Sequence, residues 1–113
     1  MRVGRTIHVL DNNGQELNGW PITLEHLNWF THYNLKFPTI AIADVNNDGL
    51  SEIVMGTVDF KLPFEELVSN PSSLVYVWHS NGYLMNGWPK RISRDIESSP
   101  AVGDINNDGK REI

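Results

Sequence analysis

The chain has no cysteine, so no disulfide framework holds it, no thiolate binds a metal in it, and thiol catalysis is excluded. It has no apolar run near the roughly 20 residues that carry a helix across a bilayer, so it is not read as membrane-spanning. Positive charge is scarce: 9 Lys and Arg stand against 14 Asp and Glu, and the basic residues form no cluster. A net charge of −5 has the wrong sign for a phosphate backbone, which excludes nucleic acid as a partner. Gly-x-Ser-x-Gly, His-Glu-x-x-His and a phosphate-cradling glycine loop are all missing. An acid–base pair built from Glu25, His26 or His32 would need partners that the sequence does not identify. The chain therefore reads as non-enzymatic, with no catalytic residue assigned. Its opening, Met1-Arg2-Val3-Gly4-Arg5, lacks the apolar core of a secretion signal. The expectation is that export is signalled elsewhere or that these residues belong to a longer protein.

What is present is a loop written twice. In Asp44-Val45-Asn46-Asn47-Asp48-Gly49-Leu50-Ser51-Glu52, oxygen-bearing side chains stand at the first, third, fifth and ninth places, with glycine at the sixth. The same pattern recurs in Asp104-Ile105-Asn106-Asn107-Asp108-Gly109-Lys110-Arg111-Glu112. Hard oxygen donors in a flexible loop suit Ca2+, which accepts six to eight oxygens at irregular geometry. One copy alone could be an ordinary turn, since Asp, Asn and Gly also build turns. Two copies that both keep the ninth-place acid point to calcium at two sites. Two bound Ca2+ would bring the net charge from −5 to about −1.

The flanks exclude an EF-hand, which needs a helix on each side and glutamate at place twelve, here Met55. Instead, Thr39-Ile40-Ala41-Ile42-Ala43 and Ile53-Val54-Met55-Gly56-Thr57 read as strands. Residues 40–53 and 100–113 match at 8 of 14 positions. Residues 12–21 and 80–89 match at 6 of 10, and both contain Asn-Gly and end in Gly-Trp-Pro. Asn-Gly favours a type I′ hairpin turn, here predicted after the strands Thr6–Leu10 and Leu74–Trp78. Proline cannot donate to a ladder, so each returning strand is predicted to stop, or to lie at an edge, at Trp20-Pro21 and Trp88-Pro89. The two Trp residues either cover apolar surface between sheets or stack on a ligand. Loops recur after 60 residues and the Gly-Trp-Pro triplets after 68, a repeat with insertions.

The fold class is all-β. Four antiparallel strands per period of about 60 predict β-propeller blades, about two blades' worth, as part of a larger ring. Residues 99–113 and 43–49 resemble the FG-GAP/VCBS repeat of integrin α-subunit heads and secreted microbial propellers. The resemblance implies Ca2+ ligands at Asp44, Asn46, Asp48, the Leu50 carbonyl and Glu52. In the second loop they fall at Asp104, Asn106, Asp108, the Lys110 carbonyl and Glu112, with Glu112 almost terminal and this site expected to be less firmly held.

Residues 1–38 then read as a half blade with a long connection. Residues 39–90 form a complete blade with loop 44–52 and an insertion at 58–73, and residues 91–113 start the next blade. The expected partners are further blades of a longer chain or further copies of this one. Antiparallel order puts both calcium loops and both Asn-Gly turns at one end of the blades. The two long connections, Ile22 to Pro38 and Val58 to Ser73, fall at the other end, with a helical turn expected around Phe64–Val68. Trp29, His32 and Tyr33 in the first connection suit stacking and hydrogen bonding to a carbohydrate or protein ligand, or else pack the loop down. The reading is a calcium-stabilised extracellular module, secreted or on the cell surface, for adhesion or ligand binding. The alternatives are a part of a secreted polysaccharide-degrading enzyme and a structural subunit that assembles through open blade edges.

Overall fold

The computed structural model describes residues 5–24, 40–59, 72–92, 96 and 98–113. They are all-β, in two antiparallel sheets. Strands β1 (Arg5–Ile7) and β2 (Ile22–Leu24) form the first sheet. Strands β3 (Ile40–Ala43), β4 (Glu52–Asp59), β5 (Ser72–Trp78) and β6 (Lys90–Ile92) form the second, in the order β3-β4-β5-β6. Among the described residues no helix is long and apolar enough to cross a membrane.

Strand pairing reaches further into the connections than residue type alone indicates. Val58↔Ser73 and Asp59↔Ser72 are still paired, so these four residues belong to the sheet. Residues 60–71, including the expected turn at 64–68, lie outside the described residues, as does most of the first connection. The prolines also act differently from the expectation. The chain passes each Trp-Pro, both cis, and only then enters β2 or β6. Proline therefore precedes the ladder, where its missing N–H leaves no bond unmade.

The Asn-Gly turns are not type I′, which needs positive φ at two successive residues. Gly14 (φ 79°) and Gly82 (φ 86°) are left-handed, but Asn47 and Asn107 are the only other residues besides glycine described with positive φ. The N–H of Gly14 reaches the Asp11 carbonyl at 3.0 Å, and the N–H of Asp11 reaches that of Gln15 at 2.8 Å. Gly82 with His79, and His79 with Tyr83, repeat the pattern at 2.9 and 2.8 Å. This is the three-residue loop in which a type I turn is followed by a left-handed bulge residue, so a single glycine suffices. The Asp11 carboxylate reinforces the first turn by accepting the N–H groups of Asn13 and Gln15 at 2.8 and 2.9 Å.

Alternation along β4 and β5 divides the core between the two faces of the larger sheet. Ile53, Met55, Tyr76 and Trp78 face the first sheet and bury against Ile7, Trp20 and Leu24. Tyr76 and Trp78 stack with centroids 5.0 Å apart, and Trp20 meets Trp78 edge-on at 6.1 Å. On the opposite face Val54, Val75 and Val77 are buried, with Ala41, Val45, Met85, Trp88, Ile96 and Val102 packed against them. Val54 and Val77 have no exposed surface, and each such burial contributes about 1.5–3 kcal/mol. The four-stranded sheet is thus covered on one face by the preceding unit and on the other by the segment that follows. Ile40 and Ile42 lie on the first of these faces, yet remain exposed at the β3 edge.

Candidate metal centre

Both nine-residue loops close on themselves through the same hydrogen bonds. The first-place carboxylate accepts two backbone N–H groups: Asp44 from Asp48 at 3.1 Å and Gly49 at 2.8 Å, and Asp104 from Asp108 at 3.0 Å and Gly109 at 2.8 Å. The third-place amide oxygen accepts from the fifth-place N–H, at 3.0 Å for Asn46 and 3.1 Å for Asn106. The fifth-place carboxylate accepts from the seventh-place N–H, Leu50 or Lys110, at 2.8 Å in each loop. The ninth-place glutamate reaches back to the second-place N–H, with Glu52 on Val45 at 2.9 Å and Glu112 on Ile105 at 2.8 Å.

The backbone needed for this is unusual in the same way twice. The fourth-place asparagines have φ of 61° and 62°, and the sixth-place glycines have φ of 86° and 83°. Asparagine tolerates the left-handed region better than most residues, and glycine has no side chain to resist it. Two left-handed residues within three positions wind the loop tightly enough for the first-place carboxylate to accept the fifth- and sixth-place N–H groups.

The loops differ in what lies behind them. Loop 44–52 runs directly between β3 and β4, and Glu52, the first residue of β4, has no exposed surface. Its partner across the strands is legible from the register: Ile53 pairs with Trp78, which brings the next residue, His79, opposite Glu52. The His79 Nδ1 lies 3.3 Å from Glu52 Oε1. Asp48, Glu52 and His79 each offer a ligand atom within 4.8 Å of the others. In the second loop Gly103 and Glu112 form only an isolated bridge, and Glu112 is half-buried. Two contacts join the loops. The Asn47 amide donates to the Gly109 carbonyl at 2.9 Å, and the Arg111 guanidinium donates to the Asp44 carbonyl.

The donor chemistry suits a hard divalent cation. Asp48 and Glu52 bring two carboxylates together beside the His79 ring, while Asp44 lies outside that group among the described residues. Unit charges about 5 Å apart repel by about 3 kcal/mol at an effective dielectric near 20, and by about 1 kcal/mol in water. A cation between them reverses the sign of that term. Asp48 and Glu52 would hold it, with His79 beside them, and Asp44, Asn46 and the Leu50 carbonyl are the further ligands that the resemblance implies. The Leu50 side chain itself is exposed. The counterparts Asp104, Asn106, Asp108, Lys110 and Glu112 share the hydrogen bonding without the buried backing. Trp29, His32 and Tyr33 lie outside the described residues. His79 and Arg111 escape a reading based on loop pattern because both come from other parts of the chain, 27 and 67 residues from their partners. Comparisons with protein-family models, characterised proteins and solved structures find no match to this chain.

Proposed function

We propose that the chain is a calcium-stabilised β-propeller segment that serves in extracellular adhesion or ligand binding, with Ca2+ in a structural role. The observation that carries this reading is the loop built twice with one hydrogen-bond pattern, its acidic groups backed in the first copy by the fully buried Glu52. The two-stranded sheet packed face to face on the larger one through a shared core, as a neighbouring blade would be, supports the propeller. Loops of this kind fill at the millimolar calcium found outside cells. With a dissociation constant near ~10 µM, 1 mM Ca2+ would contribute about 3 kcal/mol of stability through linkage. The loop lies at the β3–β4 end, and its cation would tie the first residues of β4 to the last of β3.

Thermal melts with 1 mM Ca2+ and with chelator test the proposal. The expected result is a transition several degrees higher with calcium, and a response mostly lost in Asp48→Ala. Identical melts in the wild-type chain would overturn it.

A further inference from the structure

Between the two hairpins lies an open groove of about 350 Å3, lined by Asn18, Gly19, Asn81, Gly82 and Tyr83. We propose that this groove binds a neutral saccharide, stacked on the Tyr83 ring and hydrogen-bonded by the Asn18 and Asn81 amides. The inference supplies a ligand class for the binding role proposed above and rests on that role, but not on the cation.

The floor is backbone. A Cβ at Gly19 would stand 1.7 Å from the Asn81 carbonyl oxygen, and one at Gly82 would stand 2.3 Å from the Gly19 carbonyl oxygen. The hairpins can approach this closely only because both positions are glycine. Trp20, buried beneath, fixes them in register by donating its indole N–H to the Ser80 carbonyl at 2.9 Å. The groove therefore has a rigid base, formed where one repeat meets the next.

Its walls decide the ligand. None of the five lining residues is Asp, Glu, Lys, Arg or His, and none is aliphatic. A phosphate-bearing ligand would need cationic donors, and a lipid or apolar peptide anchor would need an aliphatic wall. An extended peptide would seek an unpaired strand edge. What remains is an aromatic ring, 74% exposed, beside two amide side chains. Asn81 Oδ1 accepts the Tyr83 N–H at 3.1 Å. The Asn81 amide nitrogen, the Asn18 amide and the Tyr83 hydroxyl have no hydrogen-bond partner among the described residues. An amide supplies donors and acceptors together, and a tyrosine ring supplies a flat apolar surface with a polar tip. A pyranose ring has the matching chemistry, one C–H face and a rim of hydroxyls. The volume falls at the lower end for small-molecule sites, which suits one or two sugar units.

The test is titration of the 113-residue chain with cellohexaose, chitohexaose and maltohexaose, read from backbone amide NMR shifts, alongside the calcium melts. The expected result is saturable movement of the Gly19, Gly82 and Tyr83 signals with one of the three sugars. Tyr83→Ala should weaken binding tenfold or more, and Asn18→Ala severalfold. Tyr83→Phe, which keeps the ring, should stay within threefold of wild type. Tyr83 projects into solvent, so its removal leaves the fold intact, and an unchanged melt will verify this. Silence with all three sugars, or wild-type affinity in Tyr83→Ala, would overturn the inference. A calcium response without saccharide shifts sinks the groove alone, and saccharide shifts without a calcium response sink the cation alone.

Discussion

Adding one methyl group at Gly19 tests whether the two hairpins are locked together or merely adjacent. Gly14 serves as the internal control. Both glycines are left-handed, at φ of 90° and 79°, and each alanine therefore costs about 1–2 kcal/mol of backbone strain. At Gly14 a Cβ would meet nothing within 4 Å, and the cost ends there. At Gly19 the same Cβ falls 1.7 Å from the Asn81 carbonyl oxygen, a backbone atom with no freedom to rotate aside. Residues 80–83 would have to move by more than an ångström. That shift would stretch the 2.9 Å bond from the Trp20 indole to Ser80 beyond hydrogen-bonding range. Losing that bond costs about 1 kcal/mol, and disturbing the Trp20–Trp78 contact about another 0.5–1.5 kcal/mol. Gly19→Ala should thus exceed Gly14→Ala by about 2 kcal/mol, a large part of the 5–15 kcal/mol typical of a domain. Urea denaturation followed by tryptophan fluorescence measures both, with the slope checked for constancy between variants. Equal losses in the two variants would refute the close approach of the hairpins, and with it the rigid floor of the groove.

Other expectations follow from individual contacts. Trp20→Phe keeps most of the buried ring but removes the indole donor, and should cost about 1–2 kcal/mol in the same denaturation assay. Val77→Ala opens space in a side chain with no exposed surface, and should cost about 2 kcal/mol or more, with no effect on the calcium response. Glu52→Gln keeps the shape of the buried side chain but removes its charge. A calcium-dependent rise in melting temperature should shrink in Glu52→Gln and persist in Ser51→Ala; an undiminished rise in Glu52→Gln would remove this carboxylate from the ligand set. Arg111→Gln breaks the link to the Asp44 carbonyl, and should weaken calcium binding severalfold at the first loop by calorimetry. Wild-type affinity would show that the first loop is held without the second.

The all-β class was legible because it depends on local signals. Runs such as Ser72–Trp78 are rich in β-branched and aromatic residues and are bounded by Asn, Gly and Pro. The nine-residue loop was legible as a tight turn for a related reason: its acids and its left-handed glycine are close in sequence, so their spacing encodes the hydrogen bonds that close it. The hairpins were legible as hairpins but not in their turn type. Asn-Gly is compatible with both a type I′ turn and a bulged type I turn, and the choice lies in the φ of Asn13 and Asn81, which pairing beyond the turn decides.

The sequence by itself determined the all-β class, the strands on either side of loop 44–52 and the places where the chain turns, but not β2 and β6, which follow the two Trp-Pro pairs. The features so determined are fixed within about ten residues, where chain geometry leaves few alternatives. Only the tertiary structure decided that Glu52 is fully buried, that His79 stands over it, and that Arg111 reaches the Asp44 carbonyl. It also decided that Gly19 and Gly82 press together to make the floor of a groove. These contacts join residues 27 to 67 positions apart, and they arise from strand register and from the stacking of one sheet on the next. Register depends on which faces must be buried, a property of the folded chain as a whole and not of any stretch within it.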